Sequence, residues 1–169
     1  MINDKAETIV PHVNFRVREL GEWVDKNTDD YFKNKRVIVF SLPGAFTPTC
    51  SNQQLPGYEL KADVFKEHGI DEIYCMSVND SFVMNAWAQD QKLENVKVIP
   101  DGNGQFTQEM GMLCQKRDKC FGQRSWRYAM IVNILTRSLV KTRHKDPQVC
   151  HLSYLVRQIS AQLHHCLRS

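Results

Sequence analysis

One cysteine of this sequence lies where a reactive thiol is expected. The stretch SLPGAFTPTCSNQQLP, residues 41–56, follows an apolar run at residues 37–40 and contains a single cysteine, Cys50. A buried strand that gives way there to a helix sets the sulfur beside unpaired backbone N–H groups and the positive end of the helix dipole, and both favour thiolate over thiol. The thiolate is the nucleophilic form. Because the surroundings are rich in proline, glycine and threonine, nucleophilic or redox chemistry is favoured over the alternative of a small buried hydrophobe.

Neighbouring residues offer the groups that a thiolate needs. Thr47 lies three positions before the cysteine, so its hydroxyl can donate to one group and accept from another in the same space. Pro43 has no N–H and provides a dry wall. Arg124 and Arg127 stand at the start of a predicted strand that can bring them beside the helix start. A permanently charged guanidinium there would stabilise the sulfur anion.

The rest of the chain predicts the elements that position these residues. Apolar runs and helical spacing alternate along the sequence, which is typical of an α/β sheet. The predicted strands cover residues 10–17, 36–41, 71–78, 96–100 and 127–133, and the predicted helices cover residues 51–66, 82–91 and 106–113. An apolar stripe from Leu152 to Leu167 predicts a closing amphipathic helix.

Length and composition limit the class of protein. The 169 residues suffice for a single domain. No stretch approaches the ~20 apolar residues of a membrane helix, and the N-terminus lacks the pattern of a signal peptide. The six cysteines have no CxxC pairing, so we expect free thiols and a cytoplasmic location.

The last 36 residues differ in composition from the rest. Residues 134–169 carry six basic side chains against one acid, four of the six histidines and no glycine. A basic segment can bind nucleic acid, but this one has only Tyr154 for base stacking, so we expect a solvated face and no nucleic-acid partner. The abrupt change indicates a shifted reading frame or a recent divergence.

Four blocks of sequence carry a family resemblance. Residues 43–50, PGAFTPTC, resemble the peroxidatic motif Pro-x-x-x-Thr-x-x-Cys of peroxiredoxins, and more narrowly the type II, redoxin-like branch known as the peroxiredoxin-five group. Residues 77–87 (SVNDSFVMNAW), 100–104 (PDGNG) and 124–130 (RSWRYAM) match that branch in the same order, over roughly residues 8–133. The resemblance implies a thioredoxin-like fold with a central mixed sheet flanked by helices. It also implies a thiol peroxidase of cell redox homeostasis that reduces hydrogen peroxide and alkyl hydroperoxides without metal, haem or flavin.

The resemblance assigns roles to individual residues. The motif cysteine becomes the peroxidatic thiol that attacks a peroxide oxygen, and Thr47 holds the thiolate and the peroxide by hydrogen bonds. Arg127 is the active-site guanidinium. Pro43, Gly44 and Arg124 complete the substrate pocket.

The resemblance also implies how the thiol is recycled. The sequence is most similar to bacterial type II peroxiredoxins fused to a C-terminal glutaredoxin, but it contains no CPxC-like motif. We therefore expect a one-cysteine mechanism with glutathione or a separate glutaredoxin as reductant, and a homodimer as in relatives. Cys75 lies in a predicted buried strand and is read as structural. Cys114 and Cys120 are read as surface thiols or an extra redox pair, and Cys150 stays open as a resolving thiol.

Three other hypotheses follow from the same residues. The sequence departs from the family after residue 133, where a hairpin and a helix are expected, and this departure predicts lowered stability. It is also the one feature that supports the alternative to a peroxidase, a non-catalytic redox-sensing or interaction remnant. A cysteine hydrolase would need a base, and no histidine lies in a recognisable partner motif. Residues 150–151 (Cys-His) and 164–166 (His-His-Cys) match no zinc-finger spacing, so no metal is expected.

Overall fold

The structure is a computed structural model that describes residues 8–132 and the backbone of residues 138–143. The strands are β1 (Thr8–Ile9), β2 (Asn14–Glu19), β3 (Glu22–Asn27), β4 (Val37–Ser41), β5 (Glu72–Ser77), β6 (Val96–Pro100), β7 (Leu113–Lys116), β8 (Gly122–Ser125), β9 (Tyr128–Val132) and β10 (Ser138–Arg143). The helices are α1 (Thr28–Phe32), α2 (Leu55–Leu60), α3 (Ala62–Glu67), α4 (Ser81–Asp90) and α5 (Gln105–Glu109). A π-helical turn, Cys50–Gln54, precedes α2, and a 3₁₀ turn, Arg117–Lys119, separates β7 from β8.

A mixed six-stranded sheet forms the centre of the fold. Its strand order is β1-β10-β9-β4-β5-β6, with β4, β5 and β6 parallel and the remaining pairs antiparallel. Strands β2 and β3 form one separate hairpin, and β7 and β8 form another. The predicted α/β architecture with a central mixed sheet and flanking helices is confirmed.

The sheet is buried on both faces at its central strand, β4. All five of its residues are buried, as expected for a central strand with a continuous apolar run. Val37 and Val39 pack in one core layer with Phe15, whereas Ile38 and Phe40 pack in the other. That second layer is formed by helices α2, α3 and α4. The alternation of side chains along a strand thus builds a helix layer over one face of the sheet.

The helix predicted over residues 51–66 is broken into three parts. Pro56 has no N–H, so it cannot continue an unbroken α-helical ladder from the cysteine. The chain instead makes the π-helical turn, in which Leu55 N–H donates to the carbonyl of Cys50. At Lys61 the backbone has φ −103° and ψ 13°, which separates α2 from α3. The prediction of one continuous helix was wrong at these two points.

The helix predicted over residues 106–113 is shorter than expected. It ends at Glu109, because Gly111 takes a positive φ of 66° and the N–H of Met112 closes the helix end on the carbonyl of Thr107. Leu113 begins β7 instead. The hairpin of β7 and β8 was not predicted, because its mostly polar sequence has no apolar alternation.

The N-terminal region holds more structure than one strand. The strand predicted over residues 10–17 is β2, which begins at Asn14 and pairs with β3 outside the central sheet. The side chain of Asn27 caps α1 by accepting from the N–H groups of Asp29 and Asp30. Neither β3 nor α1 was predicted.

Of the C-terminal residues after residue 132, the structure describes only residues 138–143. The backbone of β10 pairs with both β9 and β1, so the sheet has a hairpin partner where the sequence predicted a missing one. Cys150 and the helix predicted from Leu152 to Leu167 lie outside the described residues. Within the described part of the chain, no helix has the length and apolar character needed to cross a bilayer.

Candidate active site

Cys50 lies at the first position of the π-helical turn that follows β4. Its side chain is fully buried and belongs to the core layer that contains Leu55 and Tyr58. The N–H of Ser51 donates to the carbonyl of Thr47 at 2.9 Å, which continues the turn backwards to the threonine of the motif. The sulfur is therefore fixed at a helical start, as the sequence predicted.

Sheet pairing brings Arg127 to this sulfur. In the antiparallel pair of β4 and β9, Ser41 lies opposite Tyr128, so the end of one strand meets the beginning of the other. Arg127 directly precedes β9, and its Nη2 lies 4.0 Å from Cys50 Sγ with the geometry of a hydrogen bond. The guanidinium is 9% exposed, and its Nε has no hydrogen-bond partner among the described residues. A buried cation with an unused donor thus faces the thiol.

The hydroxyl of Thr47 is engaged within its own turn. Thr47 Oγ1 donates to the carbonyl of Gly44 at 2.9 Å. Phe46, between them, has a positive φ of 61°, a conformation that is uncommon for a bulky residue and that this tight turn requires. Among the described residues, no hydrogen bond joins this hydroxyl to the sulfur of Cys50. The lone pairs of the hydroxyl remain able to accept a hydrogen bond.

Arg124 ties three segments together around the predicted pocket. Its Nη1 lies 3.3 Å from the carbonyl of Val78 and 3.5 Å from that of Pro43, and its Nε donates to the carbonyl of Phe121 at 2.7 Å. A Cβ added at Gly44 would lie 3.5 Å from Nη1, in ordinary contact. The three residues predicted to form the pocket, Pro43, Gly44 and Arg124, therefore lie together.

Asn79 was missed as a residue of the site. The sequence indicated only a helix-capping role, and that role belongs to its neighbour Asp80, which accepts from the N–H of Val83. Asn79 Oδ1 accepts from the N–H of Ala45 at 3.1 Å and from the hydroxyl of Ser77 at 2.7 Å. The signal for this role was its position at the carboxyl end of β5, next to parallel β4, where loops of such a sheet converge.

Tryptophan side chains contact two residues of the site. The indole N–H of Trp87 donates to Ser51 Oγ at 3.0 Å, which links α4 to the residue after the cysteine. The ring of Trp126 lies 5.6 Å from the Cζ of Arg127 and 4.4 Å from the Nζ of Lys116. Both contacts have the geometry of cation–π interactions.

Three further cysteines are described, and all are free thiols. Cys75 is fully buried in β5, where burial first and the neighbouring Cys50 second raise the pKa of its thiol well above the ordinary value. Cys114 Sγ lies 3.3 Å from the carbonyl of Arg124, its cross-strand partner. Cys120 is exposed beyond the 3₁₀ turn. Cys114 and Cys120 therefore form no disulfide with each other in this structure.

Among the side chains that the structure describes, no metal-ligating cluster lies near the thiol. In residues 8–132, no group of three or more His, Cys, Asp or Glu side chains could hold a metal ion. The five ion pairs of that region also leave out both arginines of the site. The charge nearest the sulfur is therefore an arginine that no carboxylate of this region neutralises.

The site contains a buried thiol at a helical start, next to a guanidinium and at the end of a mixed sheet. These features together define a thiol-based redox domain with a thioredoxin-like fold. The Redoxin family matches residues 7–142, and the chain belongs to this family.

Named relatives agree with this membership. The chain is 61% identical over 123 residues to the hybrid peroxiredoxin hyPrx5 of Haemophilus influenzae, an alignment that covers 73% of this chain and 51% of that protein. It thus spans about half the length of this curated relative. A peroxiredoxin of Rhizobium etli is 58% identical over 136 residues, which are 75% of this chain and 76% of the relative. The crystal structure of reduced Prx3 from Vibrio vulnificus in complex with hydrogen peroxide has a TM-score of 0.82 at 33% identity, covering 94% and 98% of the two chains.

Proposed function

We propose that this chain is a thiol peroxidase that reduces hydrogen peroxide and small alkyl hydroperoxides through Cys50. The observation that carries the proposal is the 4.0 Å contact between Arg127 Nη2 and Cys50 Sγ in a buried setting. A fixed guanidinium favours a sulfur anion and then stabilises the charge that develops on peroxide oxygen. The solved structure of a related Prx3 with hydrogen peroxide supports the choice of substrate.

The reaction needs only the thiol, the peroxide and donors of hydrogen bonds. The thiolate of Cys50 attacks one peroxide oxygen, a sulfur–oxygen bond forms and the oxygen–oxygen bond breaks. The unused Nε of Arg127 and the hydroxyl of Thr47 are the donor and acceptor available to the two peroxide oxygens. The departing hydroxide or alkoxide takes up one proton, equal to the one released when the thiol ionised, and leaves as water or an alcohol. The cysteine becomes a sulfenic acid, the first and reversible stage of thiol oxidation. No metal, haem or flavin takes part in this scheme.

Recycling by glutathione or glutaredoxin belongs to the same proposal. Cys75 is a poor resolving thiol, because its raised pKa keeps it protonated inside the core. Cys114 and Cys120 are free thiols on the hairpin of β7 and β8, outside the core layer that contains Cys50, which favours an external thiol as reductant. The sequence resemblance to peroxiredoxins fused to glutaredoxin supports the identity of that reductant, and the free thiols of residues 8–132 suit a reducing cytoplasm.

A homodimer is also part of the proposal. Phe46, in the turn that carries the thiol, is 53% exposed, and Phe82, on α4 beside Trp23, is 59% exposed. Large exposed apolar side chains are candidates for burial in an interface between copies. A second copy of the chain is the partner that the resemblance suggests.

A variant that keeps only Cys50 tests the mechanism. Replacing the other five cysteines by serine should leave glutathione-driven turnover of hydrogen peroxide largely intact, whereas Cys50→Ser alone should abolish it. Dimedone labelling after one equivalent of peroxide reports the sulfenic acid directly. If Cys50 stays a thiol in the unmodified protein, the chain is a non-catalytic remnant. If turnover is lost in the variant with Cys50 alone while sulfenic acid still forms, a second cysteine resolves it.

A further inference from the structure

The hairpin of β7 and β8 carries a group of cations that no carboxylate of the described chain neutralises. Lys116, Arg117 and Lys119 lie on or directly before its 3₁₀ turn, and we name these three residues the cationic turn. Arg117 and Lys119 are exposed and Lys116 is half-buried. The turn contains one acid, Asp118, and none of the five ion pairs of residues 8–132 involves the cationic turn. The positive charge is therefore available to a ligand.

One cation of the turn, Lys116, is linked to the reacting sulfur through Trp126 and Arg127. Lys116 Nζ is 4.4 Å from the centre of the Trp126 ring, and Arg127 Cζ is 5.6 Å from the same ring. Arg127 Nη2 is in turn 4.0 Å from Cys50 Sγ. A single aromatic ring thus separates an ammonium group of the cationic turn from the guanidinium that contacts the thiol.

The hairpin is also held firmly to the loop that carries the thiol. Arg124, on β8, reaches the carbonyls of Pro43 and Val78 across the site and the carbonyl of Phe121 within its own hairpin. These bonds join the hairpin to the two segments that follow β4 and β5. The cations of the turn are therefore kept at a defined place beside the site, rather than on a freely moving arm.

We propose that the cationic turn binds the carboxylates of glutathione and thereby selects an anionic thiol as reductant. The inference rests on the peroxidase function proposed above and deepens its recycling step. Hydrogen peroxide is neutral and gains little from these charges. The reductant, in contrast, arrives with two carboxylates and must present a thiolate, so a cationic surface both attracts it and stabilises its reactive form.

The chemistry of the step is balanced by two molecules of glutathione. The first glutathione thiolate attacks the sulfenic sulfur of Cys50, so a sulfur–sulfur bond forms, the sulfur–oxygen bond breaks and the oxygen leaves as water after taking up protons. A second glutathione attacks the glutathione sulfur of this mixed disulfide and releases Cys50 as a thiolate. Cys50 is reduced by two electrons, and two glutathiones are oxidised to one disulfide.

The test compares a thiol that carries carboxylates with a thiol that carries none, on the same protein. Cys50 is first oxidised with one equivalent of hydrogen peroxide, and sequential-mixing stopped flow then follows its reduction by glutathione or by 2-mercaptoethanol. The variant Lys116→Gln/Arg117→Gln/Lys119→Gln removes the three charges, and Lys116→Arg/Arg117→Lys/Lys119→Arg keeps them. Lys66→Gln on α3, whose ammonium pairs with Asp63, is the remote control.

We expect a selective effect. The glutamine variant should reduce the rate constant for glutathione about tenfold, as expected when three charges near the approaching anion are removed, and should change the rate for 2-mercaptoethanol by less than about twofold. The variant that keeps the charges and the Lys66 control should match the parent protein. Added salt should slow reduction by glutathione more than reduction by 2-mercaptoethanol, because the 2-mercaptoethanol thiolate carries no carboxylates.

Other results would overturn the inference. An equal loss for both thiols would mean that the hairpin change disturbs the pocket, and no loss for glutathione would mean that the cationic turn is only a solvated face. Absence of oxidation in the first mixing step, before any reductant is added, would instead refute the peroxidase function itself and this inference with it.

Discussion

Removal of the Arg127 guanidinium is the most direct test of the site. Its Nη2 lies 4.0 Å from Cys50 Sγ. Two unit charges at about 4 Å interact by about 4 kcal/mol at an effective dielectric constant near 20, and water entering the site of a variant would recover part of this. Loss of one donor that stabilises a transition state typically costs about 10²–10³-fold in rate. We therefore expect Arg127→Gln to lower the second-order rate constant with hydrogen peroxide by about that factor.

The assay follows the oxidation of Cys50 alone. Stopped-flow tryptophan fluorescence suits it, because Trp87 bonds to Ser51 and Trp126 contacts the arginine. Arg127→Lys keeps the charge but loses the planar fork of donors, so its rate should fall between those of the parent and the glutamine variant. Arg16→Gln, on a side chain that is 64% exposed, is the matched control and should react like the parent.

A small effect would refute the reasoning. If Arg127→Gln unfolds at the same temperature as the parent by circular dichroism and still reacts within about threefold of it, the guanidinium does not stabilise the reacting sulfur. A large effect with a lowered unfolding temperature would leave Arg127→Lys as the deciding comparison, since that variant retains a buried cation.

The remaining predictions concern groups that hold the site in place. Asn79→Ala removes the acceptor for the N–H of Ala45, so we expect a loss of about 1–2 kcal/mol in the free energy of unfolding by urea titration and a slower peroxide reaction. The carboxylate of Glu59 accepts hydrogen bonds from residues 94–96. Burial raises the pKa of this carboxylate, but the hydrogen bonds from Val96 and Asn95 outweigh burial and lower the pKa below the ordinary value of 4.5. Because the folded pKa is lowered, this stability is present above pH 4.5 and is lost as the pH falls through the folded value. Thermal unfolding of Glu59→Gln should therefore depend less on pH below that point than unfolding of the parent; equal slopes would contradict it.

Strand order in the sequence placed Arg124 and Arg127 near the thiol, and the family resemblance singled out Arg127. The thiol follows a strand with an unmistakable apolar run, and the arginine precedes another such strand, so their meeting required only that β4 and β9 be neighbours. The central strands were equally clear, since β4 and β5 are almost entirely buried and their sequences are mostly apolar.

The missed features lack such a local signal. Residues 22–27 and 113–125 are largely polar, and they pair as hairpins through backbone bonds and tertiary contacts that periodicity does not reveal. The break after Cys50 depends on Pro56 and on the conformation at Lys61, whereas the apolar spacing runs on through both. In the sequence, Asn79 looks like an ordinary capping residue; its role becomes visible only in the structure, where the loop after β4 lies beside it.

The pairing of Ser41 with Tyr128 has a further consequence for protein engineering. The backbone pairing of β4 and β9 in the central sheet aligns Cys50 with Arg127, so this alignment is as rigid as the core. Deleting one residue inside β9 would change the spacing between Arg127 and the rest of the strand. Either the residues after the deletion would turn to the opposite face, or the arginine would be carried out of register with Ser41. Length changes at the far tip of the 3₁₀ turn would leave that alignment untouched, which makes the tip the natural place to graft new reductant preferences.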